Sequence, residues 1–170
     1  MREIDPKQFD YSAYEFFAKD WALVTAGTKE SGWNTMTVSW GHLGSLWGHA
    51  GGLPTAIVYI RPQRYTKRFM DTNPYFTLTI FDAQYKKDLA YLGSHSGKDE
   101  DKVAKTNLHP IAIDQGIAFE EAKITLLCRT LYQAPVEEKY FKDQVLMKTI
   151  YPEKDFHDMY IAQIEKVWIK

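Results

Sequence analysis

Alternation with a period of two is the clearest pattern in the chain. From Asn34 to Trp40 small hydroxyl side chains recur at every second position, so a strand here places Thr35, Thr37 and Ser39 on one face and Met36, Val38 and Trp40 on the other. A core-facing surface does not need three hydroxyls. With the preceding run Trp21 to Thr28 and the turn Lys29-Glu30-Ser31-Gly32, this segment predicts a first hairpin. Thr55 to Ile60 is a continuous apolar strand. Between them Gly41 to Pro54 carries five Gly and two His without periodicity, which predicts a loop whose backbone comes close to something.

Farther along, Arg64 to Thr72 reads as a short helix with Tyr65 and Phe69 four apart, stopped by Asn73-Pro74. Tyr75 to Phe81 returns as a strand. Gln84 to Leu92 and Asp99 to Thr106 have helical character, separated by the turn Gly93-Ser94-His95-Ser96-Gly97. Strands follow at Ile117 to Phe119, Lys123 to Gln133 and His157 to Ile169, with a helix at Glu137 to Leu146. No repeat, linker or low-complexity tract divides residues 1–170, so one domain is expected. Many short strands with helices in the crossovers predict a mainly β (α+β) fold, a closed or partly closed antiparallel barrel. The last strand is mixed on both faces, a pattern expected where a strand is shared with a second subunit.

Composition sharpens this picture. Hydrophobic residues make up 45% and aromatics 15% of the 170 positions, and eleven Tyr with five Trp favour strands and ring-stacking surfaces over a helical bundle. The net charge is -1, so no global field recruits nucleic acid or an acidic membrane, and a small-molecule partner is expected. The single Cys128, inside an apolar strand, permits no internal disulfide and reads as an inert buried thiol. A reducing compartment follows. The N-terminus shows no apolar run suited to a signal peptide or a membrane span, and the expected location is the cytoplasm.

Candidate chemistry concentrates in two further places. Tyr59-Ile60-Arg61-Pro62-Gln63-Arg64-Tyr65-Thr66 ends an apolar strand on one cation and opens a helix with another. An Arg closing a buried strand is costly unless an anion meets it. The turn Ser94-His95-Ser96-Gly97-Lys98 offers hydroxyls and backbone N–H groups that suit a phosphate. Lys98-Asp99-Glu100-Asp101-Lys102 is otherwise a solvated face, with Lys102 the exception. The His residues lack metal-ligand spacing, and no Rossmann, Walker or hydrolase signature occurs. The hydroxyl-lined strand and the cations suit a flat polar ring with an anionic tail.

In order along the chain, Asn34-X-Met36-Thr37-X-Ser39-Trp40, Trp47, Tyr59-X-Arg61-Pro62-X-Arg64-Tyr65-Thr66, Ser94-X-Ser96-Gly97-Lys98-Asp99, Lys102 and Phe156-His157-X-X-Tyr160 resemble the flavin reductase-like family of FMN-binding split barrels, in particular its flavoredoxin-like branch. The resemblance implies a Greek-key split β-barrel that forms a homodimer, binds FMN near the subunit interface, and reduces flavin with NADH or NADPH. It implies that Asn34, Thr35, Met36, Thr37, Val38, Ser39 and Trp40 run along the isoalloxazine and ribityl. Arg61, Ser94, Ser96 and Lys102 would hold the phosphate, with Gly97 in the same turn, and Arg64, Tyr65 and Thr66 would shape the pocket. His157 would lie near the flavin or nicotinamide, as a catalytic group or as a structural hydrogen-bond partner. Ala162-Gln163-Ile164 departs from the family's frequent Gly-Glu-Ile. The alternatives are an FMN electron carrier reduced by a partner protein, and a barrel for another ligand such as haem or for none.

Overall fold

The computed structural model of the chain describes residues 1–49 and 51–170. Its strands are β1 (Arg2–Ile4), β2 (Ala22–Thr28), β3 (Gly32–Val38), β4 (Gly41–Leu46), β5 (Leu53–Ile60), β6 (Tyr75–Ile80), β7 (Pro110–Ile113), β8 (Gly116–Phe119), β9 (Ile124–Pro135) and β10 (Asp158–Ile169). Three α-helices interrupt them: α1 (Thr66–Thr72), α2 (Lys86–Ser94) and α3 (Gln144–Ile150). Eight strands form one antiparallel sheet in the order β3-β2-β6-β9-β10-β5-β4, with β1 added beside the end of β10, and β7-β8 form a separate hairpin. The sheet curls around an apolar interior as a split barrel.

Two cores explain why β2 is apolar along its length. Ala22, Val24 and Ala26 face the barrel interior with Met36, Val38, Leu78, Leu126 and Tyr160. Leu23 points the other way, into a second cluster with Leu89 and Leu92 of α2 and Phe119 of β8. A strand buried on both faces loses the alternation that a half-exposed strand keeps.

The register also settles the hydroxyl face of β3. Thr35 lies opposite Thr25 and Thr37 opposite Leu23, so this face looks outward beneath α2, while Met36 and Val38 look into the barrel. The Thr35 hydroxyl meets Thr25 Oγ1 at 2.8 Å and Val24 O at 3.1 Å, and Thr37 donates to Leu89 O at 2.5 Å. The Thr35 and Thr37 hydroxyls thus satisfy buried polar partners between two layers. Ser39, just past the end of β3, stays exposed and carries the same alternation to the open end of the strand.

Four sequence expectations are corrected. The glycine-rich stretch is a β-hairpin, because β4 pairs with β5 from Gly41↔Val58 to Leu46↔Leu53. Trp47, Gly48, Gly51 and Gly52 take the positive φ that its turn requires. The expected close approach is found at Gly41, where a Cβ would sit 2.4 Å from the Phe17 ring and 2.7 Å from the Ile57 carbonyl oxygen. Second, β10 lies between β9 and β5, so a second subunit could meet it through its faces and not along a free edge. Its mixed faces accompany register shifts at Ile161/Ala162 and Ile164/Lys166. Third, Asp99 to Thr106 holds only a single 3-10 turn at Val103–Lys105. Fourth, the helix expected from Glu137 begins at Gln144, where the Asp143 carboxylate accepts from the N–H groups of Val145 and Leu146. The segment before β2, including a π-helical turn at Glu15–Lys19, and the strand β7 had no sequence expectation.

Candidate functional site

The ends of β3, β5 and β10 converge on an open groove of about 400 Å3 lined by Met36, Thr37, Val38, Ser39, Trp40, Tyr59, Arg61, Gln63, Arg64 and His157. Through Met36, Gln63 and Arg64 it continues into a cleft of about 80 Å3, whose other walls are Asn34, Tyr65, Thr66, Ser94, His95, Ser96, Gly97 and Lys102. Each part comes from a chain end: β5 delivers Arg61 and Arg64 as it gives way to α1, and α2 ends at Ser94 just before the Ser96–Gly97 turn.

The cleft is built around cations. Lys102 is only 4% exposed, and its ammonium donates to the carbonyls of Leu92 at 2.7 Å and His95 at 2.9 Å. No carboxylate forms an ion pair with it among the described residues. Burial, then repulsion from Arg64, lowers its pKa to about 8. The Arg64 guanidinium donates to the Gly93 carbonyl, so both cations cap the C-terminal end of α2. Asn34, 7% exposed, donates from Nδ2 to Thr66 Oγ1 at 2.7 Å. Gly97 packs so closely on this amide that a Cβ would stand 2.0 Å from Asn34 Oδ1. The Ser94 hydroxyl bonds back to Ala90 O at 2.9 Å, and Ser96 Oγ accepts from the Lys98 N–H at 3.2 Å.

The opposite end is neutralised. Arg61 lines the groove but not the cleft; its guanidinium pairs with the Asp155 carboxylate and donates to Ile150 O at 3.1 Å. The anion that its position on a buried strand called for is thus a residue of this chain. Gln63 also donates to Asp155, at 2.8 Å. His157 is buried, with Nδ1 2.8 Å from the Tyr151 hydroxyl and its ring 4.9 Å from that of Trp40. Burial, followed by the Arg61 charge, lowers the His157 pKa to about 4, so the imidazole is neutral at physiological pH. Burial raises the Tyr151 pKa, which keeps its phenol protonated.

The structure thus brings together most of the residues singled out in the sequence. Asn34, Met36, Arg64, Tyr65, Thr66, Ser94, Ser96, Gly97 and Lys102 meet in the cleft; Thr37, Val38, Ser39, Trp40, Arg61 and His157 line the groove. Thr35 lines neither and is fully buried against Thr25. Trp47 lies away from both, in the β4–β5 turn near Tyr132. Tyr59, Gln63, His95, Tyr151 and Asp155 belong to the site without having been marked. Tyr59 and Gln63 sit inside the motif that pointed to Arg61; Asp155 and Tyr151 come from a loop about ninety residues away, with no local signal.

Next to the groove lies a second space of about 500 Å3, a chamber sharing Ser39, Trp40 and Tyr59 with it. Away from both, His109, Glu120 and Glu121 form the one group of three potential metal ligands among the described residues. Their ligand atoms lie within 4.8 Å of each other on the surface, and His109 Nδ1 is 2.6 Å from Glu121. No helix among the described residues is long and apolar enough to cross a membrane.

The family model described as the flavin reductase like domain matches residues 14–170. No curated protein sequence matches the chain. Among solved structures, an FMN-binding domain of a flavin reductases-like enzyme from Shewanella baltica is similar at a TM-score of 0.67 and 15% identity, covering 99% of this chain and 76% of that one. Flavoredoxin of Desulfovibrio vulgaris is similar at 0.66 and 21% identity, covering 88% and 69%. An NADH:FAD oxidoreductase from Streptomyces globisporus, in complex with NAD and FAD fragments, is similar at 0.63 and 12% identity, covering 89% and 74%. At these identities the likeness establishes the fold.

Proposed function

Because the chain belongs to the flavin reductase-like family, we propose that it is an FMN flavoprotein, an oxidoreductase in which NADH or NADPH reduces the bound flavin. The observation that carries this reading is the pair Arg64 and Lys102: two cations in a small cleft at the end of a ring-sized groove, both hydrogen-bonded to backbone carbonyls and neither ion-paired among the described residues, with the Glu100 charge only partly offsetting burial and the repulsion between them at Lys102. Such a positive site suits a phosphate monoester. The cleft residues Arg64, Lys102, Ser94 and Ser96 would hold the phosphate, and Trp40, Tyr59, Val38 and Ser39 would flank the ring system. Arg61, matched to Asp155, would shape the groove instead of binding the phosphate.

Bound FMN would supply the redox chemistry, taking a hydride from the nicotinamide and passing electrons to an acceptor. The protein's own residues position and exclude. Trp40 forms the groove wall beside the His157 ring, and the Tyr151 hydroxyl at Nδ1 fixes the orientation of the imidazole. His157 Nε2 has no protein partner among the described residues, so a neutral ring can offer a hydrogen bond to the groove without carrying charge.

A second reading, an FMN electron carrier reduced by a partner protein, is favoured by one observation. Of the groove's two cations, Arg61 is paired and Arg64 belongs to the cleft. None is left for the diphosphate of a dinucleotide. Anaerobic mixing separates the readings: bleaching of the flavin band by NADH or NADPH supports the reductase, whereas reduction by dithionite alone supports the carrier. Protein that arrives colourless and takes up no added FMN overturns both.

The protein is proposed to form a homodimer through an exposed apolar surface. Tyr14, Trp40, Tyr140, Val145 and Leu146 are large apolar side chains exposed around the chamber and α3, surface that a second copy would cover. Residence in a reducing, cytoplasmic compartment is proposed from the lone, buried Cys128, whose thiol burial keeps protonated.

A further inference from the structure

Two stretches of the chain meet at the groove and are tied together by charge. The first, Arg61 to Lys67, carries the cleft residues Arg64, Tyr65 and Thr66 into the start of α1, and the second, Asp155 to Asp158, carries His157 into β10. Carboxylates of the second hold both ends of the first. Asp155 pairs with Arg61 and accepts from Gln63, while Asp158 pairs with Lys67 at 2.8 Å. Strand pairing supplies the reach, because Asp158 lies opposite Ile60, the residue before Arg61. Arg64 and His157 thus stand between two anchors.

Lys67 holds more than one of these contacts. Its ammonium also meets both oxygens of Asp71, at 2.8 and 3.0 Å, and Asp71 Oδ1 accepts from the Tyr160 hydroxyl at 2.5 Å and from Gln133 at 2.9 Å. Gln133 donates to Asp158 as well, at 3.0 Å. One cation therefore serves two carboxylates in a cluster shared by α1, β9 and β10. Burial opposes the charge on Lys67, yet its hydrogen bonds to Asp158 and Asp71 outweigh burial and raise its pKa. The side chains of Lys67 and Asp158 are 17% and 19% exposed, so solvent screens this pair less than an ordinary surface pair. The helix needs such a tie. With seven residues and no side-chain cap at its N-terminus, α1 is too short to hold its first turn unaided. We propose that Lys67 is a positioning residue for the groove and its cleft: by holding Asp71 and Asp158 together it fixes the turn that presents Arg64 and the strand end that presents His157, while itself lining neither space. Without it the two carboxylates, bridged by Gln133, face each other uncompensated, and their repulsion parts α1 from β10. The consequence for ligand affinity rests on the FMN reading, whereas the consequence for His157 does not.

The test compares the full-length wild type with Lys67→Met, Lys67→Arg and Asp158→Asn. FMN and riboflavin are titrated by fluorescence, and the His157 imidazole is followed by NMR in the flavin-free protein. Lys67→Met should weaken FMN binding about tenfold by displacing Arg64, and riboflavin binding less than about threefold. The His157 ring signals should shift in the same variant, and Lys67→Arg should return both readouts close to wild type. Asp158→Asn removes one arm of the cluster, so it should give a smaller change in the same direction, and it guards against a folding defect in Lys67→Met. A lysine with a merely structural role would lower the thermal midpoint but leave the ratio of FMN to riboflavin affinity and the His157 signals where they were. That result overturns the proposal, as does failure of Lys67→Arg to rescue. Wild-type protein that takes up no flavin sinks the FMN reading alone, and the His157 signals then decide: a shift in Lys67→Met and Asp158→Asn supports the positioning role, and unchanged signals in both overturn it.

Discussion

The two ends of the groove treat their cations in opposite ways. At one, Arg61 is matched by the Asp155 carboxylate and shares its surroundings with a neutral His157 and a protonated Tyr151. At the other, Lys102 and Arg64 repel one another, and their hydrogen bonds go to the carbonyls that end α2. The first end is complete without a ligand. The second holds positive charge at an energetic cost, which a bound anion would offset. Proximity to a groove therefore says little about which arginine binds; what matters is whether the chain has already supplied the counter-charge.

The largest test concerns the neutralised end. His157 has a folded-state pKa near 4, below its unfolded value near 6.5, so the unfolded chain binds more protons between those limits. Stability should be full above pH 6.5 and fall as the pH drops toward 4, by a contribution on the order of 3 kcal/mol. Urea unfolding of wild type and His157→Gln across pH 4 to 7 measures it: the variant should show a flatter profile. An equal slope in both would mean that the imidazole is not held neutral by burial.

At the cationic end, Lys102→Met should weaken FMN binding by about ten- to a hundredfold, the cost of one charge-assisted hydrogen bond of roughly 1.5–3 kcal/mol. Riboflavin, which lacks the phosphate, should bind nearly as before. Arg61→Ala should reduce the affinities for FMN and riboflavin by similar factors, because its charge is already matched. Fluorescence titration with both flavins decides, and an FMN-selective loss confined to Arg61→Ala would reverse the assignment of the two ends.

Gly97→Ala should act through the same end. Its Cβ would displace the Asn34 amide from Thr66, costing about 1–3 kcal/mol for the disturbed buried polar contact, visible as a thermal midpoint lower by several degrees. An unchanged midpoint would indicate that the Ser96–Gly97 turn moves aside freely.

The smallest expected effect is a pH dependence of affinity. The Lys102 ammonium loses its proton above about pH 8, so FMN affinity of the empty protein should decline from pH 8 upward while riboflavin affinity stays level. Parallel declines for the two flavins would place the titrating group outside the phosphate cleft.

Much of this protein is determined locally and is therefore legible in its sequence. The hairpin of β2 and β3, the strands β5, β6, β9 and β10, and the arrest of α1 at Asn73-Pro74 follow from periodicity and turn chemistry within short windows. So does the gathering of Arg64, Tyr65, Thr66 and the Ser94–Gly97 turn as candidates, since each stands at the end of an element. Other features were decided only when distant segments met. Glycine removes the side-chain signal of β4, yet its backbone pairs with β5 as well as any other. Thr35 and Thr37 have the spacing of a ligand surface, but α2 and β2 packing over them turns their hydroxyls into internal partners. Arg61 carries the same charge as Arg64 in the same motif. Their surroundings diverge because the loop before β10 brings Asp155 to one of them, while α2 brings a backbone carbonyl to the other. Spacing along a chain fixes which side chains share a face, but counter-charges and covering layers come from elsewhere in the fold, and they decide which faces remain open to a ligand.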